Sequence, residues 1–136
     1  MPGLLDELIH AATLRYLSHA HGSPILLVHT ATAPNAIKHV LPALPREMWA
    51  PSLAAVWSAA AAIVSAYEPD DAVPQAELPA VPRADDPIAE LLERAVANGD
   101  EHVIKFTDTA VDVYQASGNP DALRAAIRAR HLIAPE

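Results

Sequence analysis

The sequence predicts an all-α fold, an irregular bundle of about six helices with a proline-rich linker. Hydrophobic residues fill 51% of the 136 positions, while aromatics fill only 4%. Alanine supplies much of the apolar count, and it is the strongest helix former because its side chain has no rotamer freedom to lose. The apolar residues recur at intervals of three and four rather than on alternate positions, which is the helical period. No strand pattern and no internal repeat is present.

The first helix is expected from about Leu4 to Ala20. Leu5, Leu8, Ile9, Ala12 and Tyr16 share one face, with His10, Leu14 and Leu17 as a second apolar stripe. Ser23-Pro24 reads as an N-cap followed by a first-turn proline, opening a short helix through His29. Thr32-Ala33-Pro34 is expected to restart the chain into another short helix ending near Leu41-Pro42, where Pro42 and Pro45 break it. Ser52 to Tyr67 is the strongest helix. From Leu53 to Val64 its only polar residue is Ser58, so it is apolar all round and should be enclosed by protein on every side. A chain this short has few elements with which to enclose it, which points to a partner chain or a further half.

Residues 69–86 hold Pro69, Pro74, Pro79 and Pro82 with several acids and read as a linker along the surface. Three helices follow. Pro87 to Asn98 ends at Gly99, a C-cap residue, and Asp100 caps a helix from Glu101 to about Ser117. Asn119-Pro120 opens the last, reaching Ile133. The chain thus divides into an N-terminal helical segment (1–68), the linker (69–86) and a C-terminal three-helix segment (87–136), together forming one domain or part of a larger one.

A formal net charge of −8 makes nucleic acid and anionic membrane surfaces poor partners. Arg124, Arg128 and Arg130 are the nearest thing to a basic patch, and they fit the last turns of a helix. The absence of cysteine removes disulfides, thiol nucleophiles and thiolate metal sites. The first residues lack the features of a signal peptide, and no apolar run is expected to reach the roughly 20 residues of a membrane span, so a cytoplasmic location is expected. Four glycines with no glycine-rich loop exclude a phosphate cradle, and neither a nucleophile elbow nor His-Glu-x-x-His occurs.

Three stretches carry a resemblance. Leu27-Val28-His29-Thr30-Ala31-Thr32-Ala33-Pro34-Asn35-Ala36 is followed by Leu41-Pro42-Ala43-Leu44-Pro45. Trp57 lies in an alanine-rich helix ending at Tyr67, and Gly99-Asp100-Glu101-His102-Val103-Ile104-Lys105 comes last. In this order and rough spacing they resemble the C-terminal part of the questin oxidase-like family across nearly the whole chain. Members of that family are longer, with a preceding N-terminal region carrying further histidines that has no counterpart here. The resemblance implies oxygen-dependent oxidative cleavage of polyketide-type aromatic rings. It also implies a non-haem iron centre with histidine ligands and a carboxylated lysine, for which His29, His102 and Lys105 are the matching residues.

His102 and Lys105, three apart, project to one side of their helix, and Phe106, Thr109 and Val113 mark the His102 face as the buried one. An imidazole there can ligate iron or zinc. A desolvated lysine amine can take up carbon dioxide as a carbamate, an oxygen ligand. The same residues also read blandly. Glu101 and Asp108 flank Lys105 at surface ion-pair spacing, and His29 suits a helix end where it would bond backbone carbonyls. His10 reads as an interior histidine, His19 and His21 as solvated at a fraying helix end, and His39 and His131 as complements to helix dipoles.

Two functions follow as expectations. The chain is the C-terminal part or a subunit of a questin oxidase-like oxidoreductase, acting on a small aromatic substrate with the missing N-terminal half or a partner chain. Alternatively it is a non-catalytic helical module that associates with itself or with another protein.

Overall fold

The computed structural model describes residues 2–136. It contains six α-helices and no strand among the described residues: α1 (Pro2–His19), α2 (Pro24–Val40), α3 (Trp49–Tyr67), α4 (Pro87–Asn98), α5 (Glu101–Ser117) and α6 (Asp121–Leu132). Single 3-10 turns occur at Ala20–Gly22, Leu41–Ala43, Arg46–Met48 and Gln75–Glu77. The all-α bundle expected from the sequence is what is found.

The helix ends follow from local chemistry. The Asp86 carboxylate accepts from the Ala89 amide at 3.1 Å, and Pro87 fills a first-turn position where no N–H is needed. α4 stops at Gly99, whose φ of 85° is left-handed, a backbone that glycine adopts without penalty. Asp100 then caps α5. In the turn after α1, Gly22 allows a close approach, because a Cβ there would meet the Tyr67 carbonyl oxygen.

α2 differs from the expectation. It is one helix with Pro34 inside it, not two short ones. Leu27, Val28, Ala31, Pro34 and Asn35 are all buried along it. Burial of that stripe between neighbouring helices outweighs the one backbone hydrogen bond that Pro34 cannot make. His29 therefore lies within a helix rather than at its end.

The N- and C-terminal segments share a core. Tyr16, Leu27 and Val28 pack with Val103, Phe106, Ala125, Ala129 and Ile133, and the Tyr16 and Phe106 rings lie 4.3 Å apart. Ala122, Ala125, Ala126 and Ala129 give α6 a buried face of small side chains that lets α5 and α1 come close. The linker is pinned along the surface. Leu78 enters the core, the Val73 amide donates to the Ser18 carbonyl at 2.9 Å, and Arg124 donates to the Pro79 carbonyl at 2.7 Å.

α3 departs most from expectation. Instead of being enclosed it packs chiefly on α2, burying Val56 and Ala60. Trp57 (49% exposed) and Tyr67 (45% exposed) stand in the open with most of its alanines. With its preceding turn, Arg46–Tyr67 is also long and apolar enough, by length and composition alone, to cross a membrane. The expectation that no apolar stretch reaches membrane-spanning length therefore does not hold for this segment. A groove of about 260 Å³ lies between α1 and α3 over α2. Its walls include Leu8, Ala12, Tyr16, Leu27, Trp57 and Val64, and it closes at Arg15, His19 and Glu68. His19 is accordingly buried rather than solvated. Its Nδ1 lies 2.6 Å from Ser18 Oγ, its Nε2 is 4.0 Å from the buried Glu68 carboxylate, and Glu68 also pairs with Arg15.

Candidate functional site

The residues the sequence singled out meet where α2 crosses α5. His29 comes from the middle of α2 and His102 from the second residue of α5. Their ring centroids are 5.4 Å apart, with ring planes at 72°. They share a pocket of about 420 Å³ whose wall also includes Thr32, His39, Lys105, Asp108 and Thr109. Val28 and Val103, both buried, anchor the two backbones beside it.

His29 carries the feature that demands an explanation. Its Nδ1 is buried and has no hydrogen-bond partner among the described residues. A buried polar atom left unpaired costs about 1–3 kcal/mol, and each such orphan in a folded protein calls for a reason. The ring of His102 is ordered from the opposite side. Its Nδ1 lies 3.0 Å from Asp100 Oδ1, the oxygen that also accepts the His102 amide at 2.7 Å. Burial alone would push the Asp100 carboxyl pKa up, but the hydrogen bonds from the His102 backbone and ring outweigh it and hold the group below its usual range.

Lys105 borders the pocket without entering it. Its side chain is 62% exposed, and Nζ lies 3.5 Å from Glu101 Oε2, the i,i+4 ion pair anticipated on spacing alone. Carbamate formation needs the neutral amine that desolvation favours, and this rotamer does not desolvate it. Asp108, one turn further on, has its carboxyl pushed up by partial burial and by the neighbouring Asp112, against an opposing pull from His39. His39 stands in the last turn of α2, with Nδ1 3.1 Å from the Asn35 carbonyl oxygen and Nε2 3.7 Å from Asp112 Oδ2.

Two imidazoles on different helices fit the histidine part of a metal's ligand set, and the orphaned Nδ1 of His29 supports that fit. They remain a pair. Among the described residues no three His, Cys, Asp or Glu side chains are grouped to hold a metal ion. Further donors would have to be neighbours that change rotamer, such as Lys105, Glu101 or Asp108, or groups from outside this chain. Sequence reasoning missed Asp100 as a partner of the His102 ring. The signal was available in Asp-Glu-His, where an N-cap carboxylate has a histidine two residues on.

Comparison with known proteins finds no match to this chain among protein-family models, curated proteins or solved structures.

Proposed function

We propose that this chain supplies His29 and His102 to a non-haem metal centre, as the C-terminal part or a subunit of a questin oxidase-like oxidoreductase. The observation that supports the reading is the meeting of the two histidines across α2 and α5, with His29 Nδ1 buried and unpaired. Lys105 is the third donor of the same reading. Rotation about its side chain away from Glu101 would carry its amine toward the pocket it already borders. A bound iron would supply oxygen activation. The residues of this chain hold the imidazoles at a fixed separation, keep them partly buried and orient His102 through Asp100.

The test is elemental analysis after anaerobic incubation of the full chain with ferrous iron and bicarbonate, alongside His29→Ala, His102→Ala and Lys105→Ala. The reading expects iron in the parent chain, lost in either histidine variant and reduced in Lys105→Ala. Iron retained at the parent level in both histidine variants would refute the assignment.

A second reading has its own observation. The uncharged, exposed face of α3 suits a non-catalytic association module, because large apolar patches mark places where something docks. A stable, metal-free homo-oligomer in sedimentation would favour it, and a monomer at high concentration would count against self-association.

A further inference from the structure

The N-cap of α5 does more than close a helix. Asp100 receives two hydrogen bonds on one oxygen, from the His102 amide at 2.7 Å and from His102 Nδ1 at 3.0 Å. A capping carboxylate needs only the first of these. The second spans from the cap to a ring, and a carboxylate can accept it only if Nδ1 carries the proton. On the other side of the ring, Nε2 has the Glu101 carboxylate at 3.7 Å, which is beyond hydrogen-bond distance.

Asp100 is itself held firmly. Its amide donates to Asn98 Oδ1 at 3.1 Å, and Asn98 Nδ2 donates in turn to the Ile133 carbonyl at 3.3 Å. Asn98 and Asp100 are both buried, and the Asn98 carbonyl also accepts from the Glu136 amide at 2.9 Å. The joint between α4 and α5 is therefore tied to the C-terminal residues, and the carboxylate has little freedom to swing away.

We infer that Asp100 is a positioning residue that fixes neutral His102 as its Nδ1–H tautomer and leaves Nε2 as the lone pair offered to a ligand. The inference rests on the metal-centre reading for its use, because orienting a ligating imidazole through its other nitrogen is what a carboxylate behind a metal site does. The hydrogen bond that sets the tautomer is present without any metal.

The test separates the two ideas. Two-bond nitrogen–proton correlations of the ¹⁵N-labelled, metal-free full chain, at about two pH units above the ordinary histidine pKa, show which ring nitrogen is protonated. His102→Gln assigns the signal. The expected result is Nδ1–H in the parent chain and in Asp100→Asn, which keeps an acceptor oxygen in place. In Asp100→Ser the cap survives but the side chain is too short to reach the ring, and the proton should move to Nε2. Zinc affinity should then fall 10- to 100-fold in Asp100→Ser and stay within a few-fold in Asp100→Asn. An Nε2–H tautomer in the parent chain, an unchanged tautomer in Asp100→Ser, or equal zinc affinity in all three would overturn the positioning role. If no form holds zinc, the metal-centre reading falls, and the tautomer alone decides the role of Asp100.

Discussion

Replacing His29 by leucine should make the metal-free protein more stable. The imidazole Nδ1 is buried and unpaired, and leucine presents a side chain of similar bulk with no polar atom to desolvate. Removing the orphan should recover part of its cost of about 1–3 kcal/mol, less whatever the branched side chain loses in fit. A net gain of about 1 kcal/mol is expected. At about 2.1 cal/mol/K per residue, 136 residues give an unfolding entropy near 0.29 kcal/mol/K, so the gain raises Tm by about 3–4 °C. Zinc should reverse the order. At 100 times its Kd it would stabilise the parent chain by about 2.7 kcal/mol through mass action, and it should leave His29→Leu unmoved. Scanning calorimetry of both proteins, with and without zinc, reads all four values. A Tm lowered by several degrees in metal-free His29→Leu would refute the reasoning, because it would mean that the ring is a satisfied structural part of the α2–α5 contact.

Other outcomes follow from the same geometry. Phe106→Ala should cost about 3–5 kcal/mol, since the ring is fully buried against Tyr16 and bridges the two segments; urea unfolding should remain one transition with an earlier midpoint. The lowered pKa of Asp100 means that its ionised form contributes stability above its unfolded value of about 3.9, a contribution lost as pH falls through the folded value. Urea midpoints between pH 5 and pH 3 should therefore drop more steeply in the parent chain than in Asp100→Ser. Trp57→Glu should cost the monomer about 1–2 kcal/mol, because half of the side chain stands in the open while the rest lines the groove, yet it should abolish any concentration-dependent association or vesicle binding that the α3 face supports. Sedimentation and vesicle flotation read the two separately.

The elements that were legible in the sequence are those whose ends are set by local chemistry. α4 lies between Asp86-Pro87 and Gly99, and α5 between Asp100 and Gly118, because a capping carboxylate and a left-handed glycine act within a few residues. What lay beyond reach was set by tertiary packing. Pro34 reads as a break, and only the burial of the stripe from Leu27 to Asn35 shows why the helix passes through it. His19 reads as a frayed end, and only the return of Glu68 beside it explains its burial. The apolar circumference of α3 was visible, but not that one side alone would find a neighbour within this chain. At the candidate site, periodicity placed His102 on the inward face of α5, whereas its pairing with His29 came from resemblance and not from spacing. Lys105 shows the limit in the other direction, since its spacing from Glu101 gave its actual partner.

The most direct measurement is proton NMR of the full chain loaded with cobalt(II), a paramagnetic stand-in for iron that shifts the exchangeable N–H protons of ligating imidazoles far from the diamagnetic envelope. The account predicts two such N–H signals in the parent chain, both absent from His29→Ala and from His102→Ala. Cobalt in excess with no shifted N–H signal, or with signals that persist in both variants, would contradict a metal centre at this pair.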